Sequence, residues 1–285
     1  MGTSQSSNGS PSGVPMVPPW VPDVDDQADG AEGNSENHGE NGQASEEQDG
    51  NIEPQNSSNK IEIAPAGRFR SARRNLNLFA KHGDSSSMKR GVGQYFKKGY
   101  GGSKAAVRRF GGTISTGGSL YSALSGVSSG DTVQGFNPSD LANSSSEEIV
   151  DQLIEVIRPI DGTQDTEASR QAIQTAFSEL LAMDESIDLL NLTPENCLLV
   201  TERFIADDVF RRLELDVGKS IQKNAPSIIT ALGRLREVKN YIRQTVAASF
   251  RKLENAGNSP SSTTIRNTIK SVLSDTFSIF EEYIQ

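Results

Sequence analysis

Apolar residues recur at intervals of three and four from residue 145 to the end of the chain, and that spacing predicts helices. Ser145 followed by Glu148 reads as a reciprocal N-terminal cap. Ile149, Leu153 and Ile157 then form one face, and Pro159 ends it. A second helix covers about 166–183, with Ile173, Phe177, Leu180 and Leu181 inward. A third opens at Thr193, with Pro194 in the first position, and runs through Leu198, Phe204, Ile205, Val209 and Leu213 towards residue 222. A fourth starts after Pro226, where Ile228, Leu232, Leu235, Ile242, Val246 and Leu253 follow heptad spacing interrupted by Lys239 and Ser249. The fifth covers about 262–284 through Ile265, Ile269, Val272, Phe277 and Phe280. No stretch sustains the alternation of a strand. The fold class is therefore all-α, with a helical bundle over 145–285 large enough for one core.

Ahead of it, residues 67–130 form a Gly-rich, partly helical segment. Phe69, Ala72, Leu76 and Phe79 predict one short helix, and Val92, Tyr95 and Phe96 a second. Val107, Phe110, Ile114, Tyr121 and Leu124 predict a helix over 104–128, with Gly117 filling the missing step. Gly111, Gly112, Gly117 and Gly118 each cost that helix about 1 kcal/mol against alanine. It forms only if the missing side chains admit a close neighbour.

Residues 1–66 carry no such periodicity. Gly30–Asn59 has almost no apolar side chain except Ile52, too little to offset chain entropy, so a disordered arm is expected. Near its start, Val14–Pro22 is apolar and proline-stiffened and contains Trp20, the chain's one tryptophan. Val17, Pro18, Pro19 and Trp20 read as a docking peptide.

Charge sharpens this division. The formal net charge of −9 conceals three regimes. Residues 1–66 hold twelve acids and Lys60, residues 67–109 hold twelve bases and Asp84, and the rest is mildly acidic. In the basic stretch Arg68, Arg70, Arg73, Arg74, Lys97, Lys98, Arg108 and Arg109 interleave with Phe69, Phe79, Tyr95, Phe96, Tyr100 and Phe110. Phosphate contact with base stacking would use that mixture. An acidic partner protein, or the chain's own acidic arm, would use the cations equally well.

Catalytic groups are scarce. Cys197 is the one cysteine, which excludes an intrachain disulfide and is compatible with a reducing cytoplasm. With only His38 and His82 beside it, no zinc site of ordinary spacing is expected, and no cofactor is implied. Cys197 reads as a small buried residue. Val217-Gly218-Lys219-Ser220 resembles the end of a phosphate loop, but Leu213 stands where the motif needs glycine. Asp207-Asp208 and Glu281-Glu282 read as ordinary solvated helix faces. The uncharged run Phe110–Gly130 is too poor in large apolar residues to span a membrane, and no signal peptide is apparent.

Removal of Met1 before the small Gly2 would leave an unhindered glycine amine at the head of the arm. Met1-Gly2-Thr3-Ser4, the Gly/Ser/Pro run to Val17-Pro18-Pro19-Trp20, and Gly101–Gly111 continuing to Leu120–Gly126 together resemble the QatB family of the bacterial Qat anti-phage system. That resemblance implies a cytoplasmic, non-enzymatic member of a four-protein defence operon. Its partners would be a KAP-type P-loop ATPase (QatA), a QueC-like enzyme (QatC) and a TatD-like nuclease (QatD). It further implies that Gly2 accepts a deazaguanine-type group from the QueC-like enzyme, with Thr3 and Ser4 read as the recognised peptide. The alternative is a nucleic-acid-binding adaptor using residues 68–110.

Overall fold

The computed structural model describes residues 67–131, 136–255 and 260–284. Gly2, Thr3, Ser4, the proline-rich peptide and the expected disorder of the acidic arm lie outside them. Among the described residues there is no strand, and the all-α class holds.

Helix α1 (Arg70–His82) turns Ala72, Leu76, Phe79 and Ala80 inward and ends at Gly83, which adopts φ 76° and returns its N–H to the Phe79 carbonyl. A side-chain cap opens α2 (Ser85–Gln94), where Asp84 accepts from the Ser87 N–H at 2.7 Å. A π turn, Tyr95–Gly99, follows. The segment expected as one helix over 104–128 is two, α3 (Ser103–Arg109) and α4 (Gly111–Ser128), hinged at Phe110 with ψ 20°. At the hinge the buried Phe110 ring lies 5.1 Å from that of Phe277.

The caps read from sequence are present. Ser145 and Glu148 hydrogen-bond reciprocally at the start of α5 (Ser146–Ile157). Thr193 with Pro194 opens α7 (Pro194–Leu213), and a cap not read from the sequence, Thr163, opens α6 (Gln164–Met183) two residues before the expected start. A second π turn, Glu214–Gly218, leads into the short α8 (Lys219–Asn224). Helices α9 (Ile228–Asn255) and α10 (Ile265–Glu282) complete the chain.

Helix α7 packs against α4, α6 and α9, while α10 packs against α2, α3, α4 and α9, and α1 lies against α2 and α8. Side chains from the basic stretch and from the later helices share one hydrophobic core. On α9 the inward stripe is Ala231, Leu235, Val238, Ile242 and Val246. Ile228 and Leu232, on the heptad spacing, are instead exposed, because among the described residues no helix covers the outer side of the first two turns. Lys239 and Ser249 are explained by partners: Lys239 faces Asp207, and Ser249 accepts from Thr276.

Two glycines mark close approach. At Gly93 an added Cβ would collide with the Phe280 carbonyl oxygen, so this glycine sets the spacing of α2 and α10. At Gly117 a Cβ would stand 3.0 Å from Ile269 Cδ1 and 3.4 Å from Phe204 Cε1, so the expected close neighbour is present there, whereas Gly111 meets nothing within 4 Å. Gly233, on α9, meets nothing within 4 Å. One substitution should therefore act in opposite directions. Gly233→Ala should raise stability by up to about 1 kcal/mol through helix propensity. Gly93→Ala should lower it by about 1–3 kcal/mol through overpacking. Urea-unfolding midpoints at unchanged m-value test both.

Candidate functional site

The basic stretch separates its two residue types by helical geometry. Its apolar positions point inward: Phe69, Phe79, Tyr95, Phe96 and Phe110 are buried, and Tyr100 is half-buried. Phe96 stacks on Phe277 at 4.2 Å between ring centroids and on Phe280 at 5.3 Å. Phe69 stacks on Tyr95 at 4.9 Å. Such pairs contribute roughly 0.5–1.5 kcal/mol each beyond area burial. The cations point the other way. Arg70, Arg73, Arg74, Lys97, Lys98, Arg108 and Arg109 are exposed. Arg70, Arg73 and Arg74 line an open groove on α1 with Gly67, Asn77 and Leu78. The mixture read as phosphate contact plus stacking is thus half consumed: the cations are available, but the aromatic faces belong to the core.

Arg68 is the exception among the cations. It is half-buried, with its guanidinium 4.3 Å from the Phe69 ring centroid and 4.0 Å from the Asp216 carboxylate. Asp216 sits in the second π turn and joins the first. Tyr95 donates to Asp216 Oδ2 at 2.8 Å, and Tyr100 donates to the same oxygen at 3.2 Å. Arg73 donates to the Asp216 backbone carbonyl at 3.0 Å. Burial pushes both tyrosine hydroxyls up, with the nearby carboxylate adding to it. They therefore stay protonated and act as donors. The cluster ties α1 and the first π turn to the end of α7.

Asp207 and Asp208 correct the expectation of a solvated face, being only 3% and 0% exposed. They do point apart. Asp208 accepts from Thr113 of α4 and from Ser169 of α6 at 2.6 Å, and Arg212 lies 3.3 Å away. Asp207 faces Arg211 and Lys239. Burial alone would lower the Arg212 guanidinium, but Asp208 and Asp165 outweigh it and raise it instead. The sequence signal was present: Arg211 and Arg212 each follow an aspartate by one turn, within a run of core residues.

Other candidates resolve simply. Cys197 is buried and its thiol is pushed up, which fits the small-core reading. Val217-Gly218-Lys219-Ser220 lies across the π turn and α8, with no loop to cradle a phosphate. Among the described residues no cluster of three His, Cys, Asp or Glu side chains is placed to hold a metal, and no helix is long and apolar enough to cross a membrane.

Removing the Asp208 carboxylate strands two hydroxyls and a guanidinium in the core. Asp208→Ala should therefore destabilise by about 3–5 kcal/mol. Asp275→Ala, which removes an acid ion-paired to the exposed Lys252, should cost well under about 1 kcal/mol. Thermal unfolding of the two variants side by side checks this.

No curated protein and no solved structure matches the chain. The family model described as "Qat anti-phage system associated protein QatB" matches residues 101–280, from α3 through most of α10. That span covers the larger part of the chain, including the buried Asp208 centre and the α10 aromatics on which Phe96 stacks. The chain belongs to the QatB family, components of the Qat anti-phage system.

Proposed function

We propose that this QatB-family chain is a non-enzymatic accessory subunit that works by contact. In this reading the helical unit meets other subunits of the defence system through its outward cations. The Gly2-headed arm, with Thr3 and Ser4, is offered to a QueC-like enzyme that attaches a deazaguanine-type group to the glycine amine. The KAP-type ATPase is the expected principal docking partner, with the TatD-like nuclease as a further one.

The observation that carries the docking half is the separation of aromatic from cationic side chains. Arg70, Arg73, Arg74, Lys97, Lys98, Arg108 and Arg109 are exposed, while the rings interleaved with them in sequence are committed to the core. Single-stranded nucleic acid is gripped by cations together with stacking platforms, each platform being worth about 1–3 kcal/mol per base. Within the basic stretch, residues 67–110, the first is offered with little of the second, which favours an acidic protein surface over bases.

The modification half rests on the family and on Gly2, and it is tested by mass. The full chain coexpressed with the QueC-like enzyme should gain mass confined to its N-terminal peptide, and should not gain it when that enzyme is omitted. An unchanged N-terminal peptide in the presence of the enzyme would count against the proposal. The nucleic-acid alternative has its own test. It requires salt-dependent DNA binding that disappears when Arg68, Arg70, Arg73 and Arg74 become alanine. The proposed reading expects no such binding at low salt.

A further inference from the structure

The outer side of the first two turns of α9 is aliphatic. Ile228, Ile229 and Leu232 are 81%, 83% and 59% exposed, while Ala231 and Leu235 carry the inward stripe. Full burial of one such side chain stabilises by roughly 1.5–3 kcal/mol, so the isolated chain leaves most of that stabilisation unused at three neighbouring positions. Single exposed aliphatics are ordinary; three on one helix face are a contact surface.

The surrounding charge identifies the occupant. Arg236 continues the same face one turn beyond Leu232 and is exposed. Before the Ala225–Ser227 turn into α9, the end of α8 contributes the exposed Lys223. The ion pairs nearby are Arg234 with Glu237 and Lys239 with Asp207. Lys223 and Arg236 have no acidic partner among the described residues.

We infer that this face docks an acidic amphipathic helix of a partner protein. Its apolar side would cover Ile228, Ile229 and Leu232, and its carboxylates would meet Lys223 and Arg236. A second copy of the chain fits poorly. Two such faces packed antiparallel about Ile229 would set Arg236 of one against Lys223 of the other, and like charges brought together oppose association. Nucleic acid supplies the negative charge but nothing to cover three branched aliphatic side chains. The inference deepens the accessory-subunit reading and rests on it for the expectation of a partner.

The test is fluorescence anisotropy of a labelled helical peptide, with leucines along one face and glutamates along the other, titrated with the full chain. Binding is expected, with a peptide of the same composition in scrambled order failing to bind. The double variant Ile229→Asp, Leu232→Asp should weaken binding by about tenfold or more. The double variant Lys223→Glu, Arg236→Glu should weaken it also and flatten its salt dependence. All four positions are exposed, and circular dichroism confirms that the variants fold. Absence of wild-type binding, equal binding of the scrambled peptide, or unchanged affinity in the aspartate variant overturns the inference. So does a wild-type dimer in sedimentation that the aspartate variant abolishes. Copurification with the system's own subunits tests the underlying reading separately. Peptide binding without copurification sinks that reading alone, and copurification without peptide binding sinks the assignment of this face.

Discussion

The stacking of Phe96 against Phe277 and Phe280 is the contact on which the rest of the arrangement depends. It places the turn after α2 in the same core as the last helix, nearly two hundred residues along the chain. Gly93, one turn earlier, lets the two backbones approach closely enough for the rings to meet. Phe110 closes the cluster, 5.1 Å from Phe277 and 6.1 Å from Phe96. Once those rings are buried, helical geometry decides where the neighbouring cations go. Positions off the inward stripe of a helix turn towards water, and Arg70, Arg73, Arg74, Arg108 and Arg109 are so placed. The cationic surface follows from the aromatic core.

Polar contacts add specificity to that packing. Asp208 is fully buried and reaches α4 through Thr113 and α6 through Ser169. Asp216 receives both tyrosine hydroxyls, so the two π turns are held against one another. Buried charges of this kind add little net stability when satisfied, and removing one partner is costly. Their effect is to fix which helix sits beside which.

Much of the fold was legible in the sequence. Ser145 with Glu148 and Thr193 with Pro194 located two helix starts by local hydrogen bonding alone. The inward faces of α6, α7 and α10 followed from spacing. What escaped depended on the neighbours a residue meets. Ile228 and Leu232 fit a heptad, yet among the described residues no helix covers them. Asp207 and Asp208 look like a solvated pair until α4, α6 and Lys239 are brought against them. The hinge at Phe110 was invisible because the spacing of three and four runs through it. For the candidate site, the cations were found by composition, but the fate of the interleaved aromatics required the core. Arg68 could not be told from its exposed neighbours without Asp216. The QatB resemblance came from the N-terminal arm and the Gly101–Gly126 stretch, and the family match covers residues 101–280.

Within this component of an anti-phage system the described residues form a helical unit with one hydrophobic core. The central physical claim is that the basic stretch is part of the rigid unit rather than a loose cationic tail. Native-state hydrogen–deuterium exchange of the full chain tests it most directly. The account predicts that amides of α2 and the first π turn, around residues 90–98, exchange as slowly as those of α10, around 272–280. Denaturant should speed both with the same slope. Fast, denaturant-insensitive exchange through residues 70–110, with α10 still protected, would contradict it.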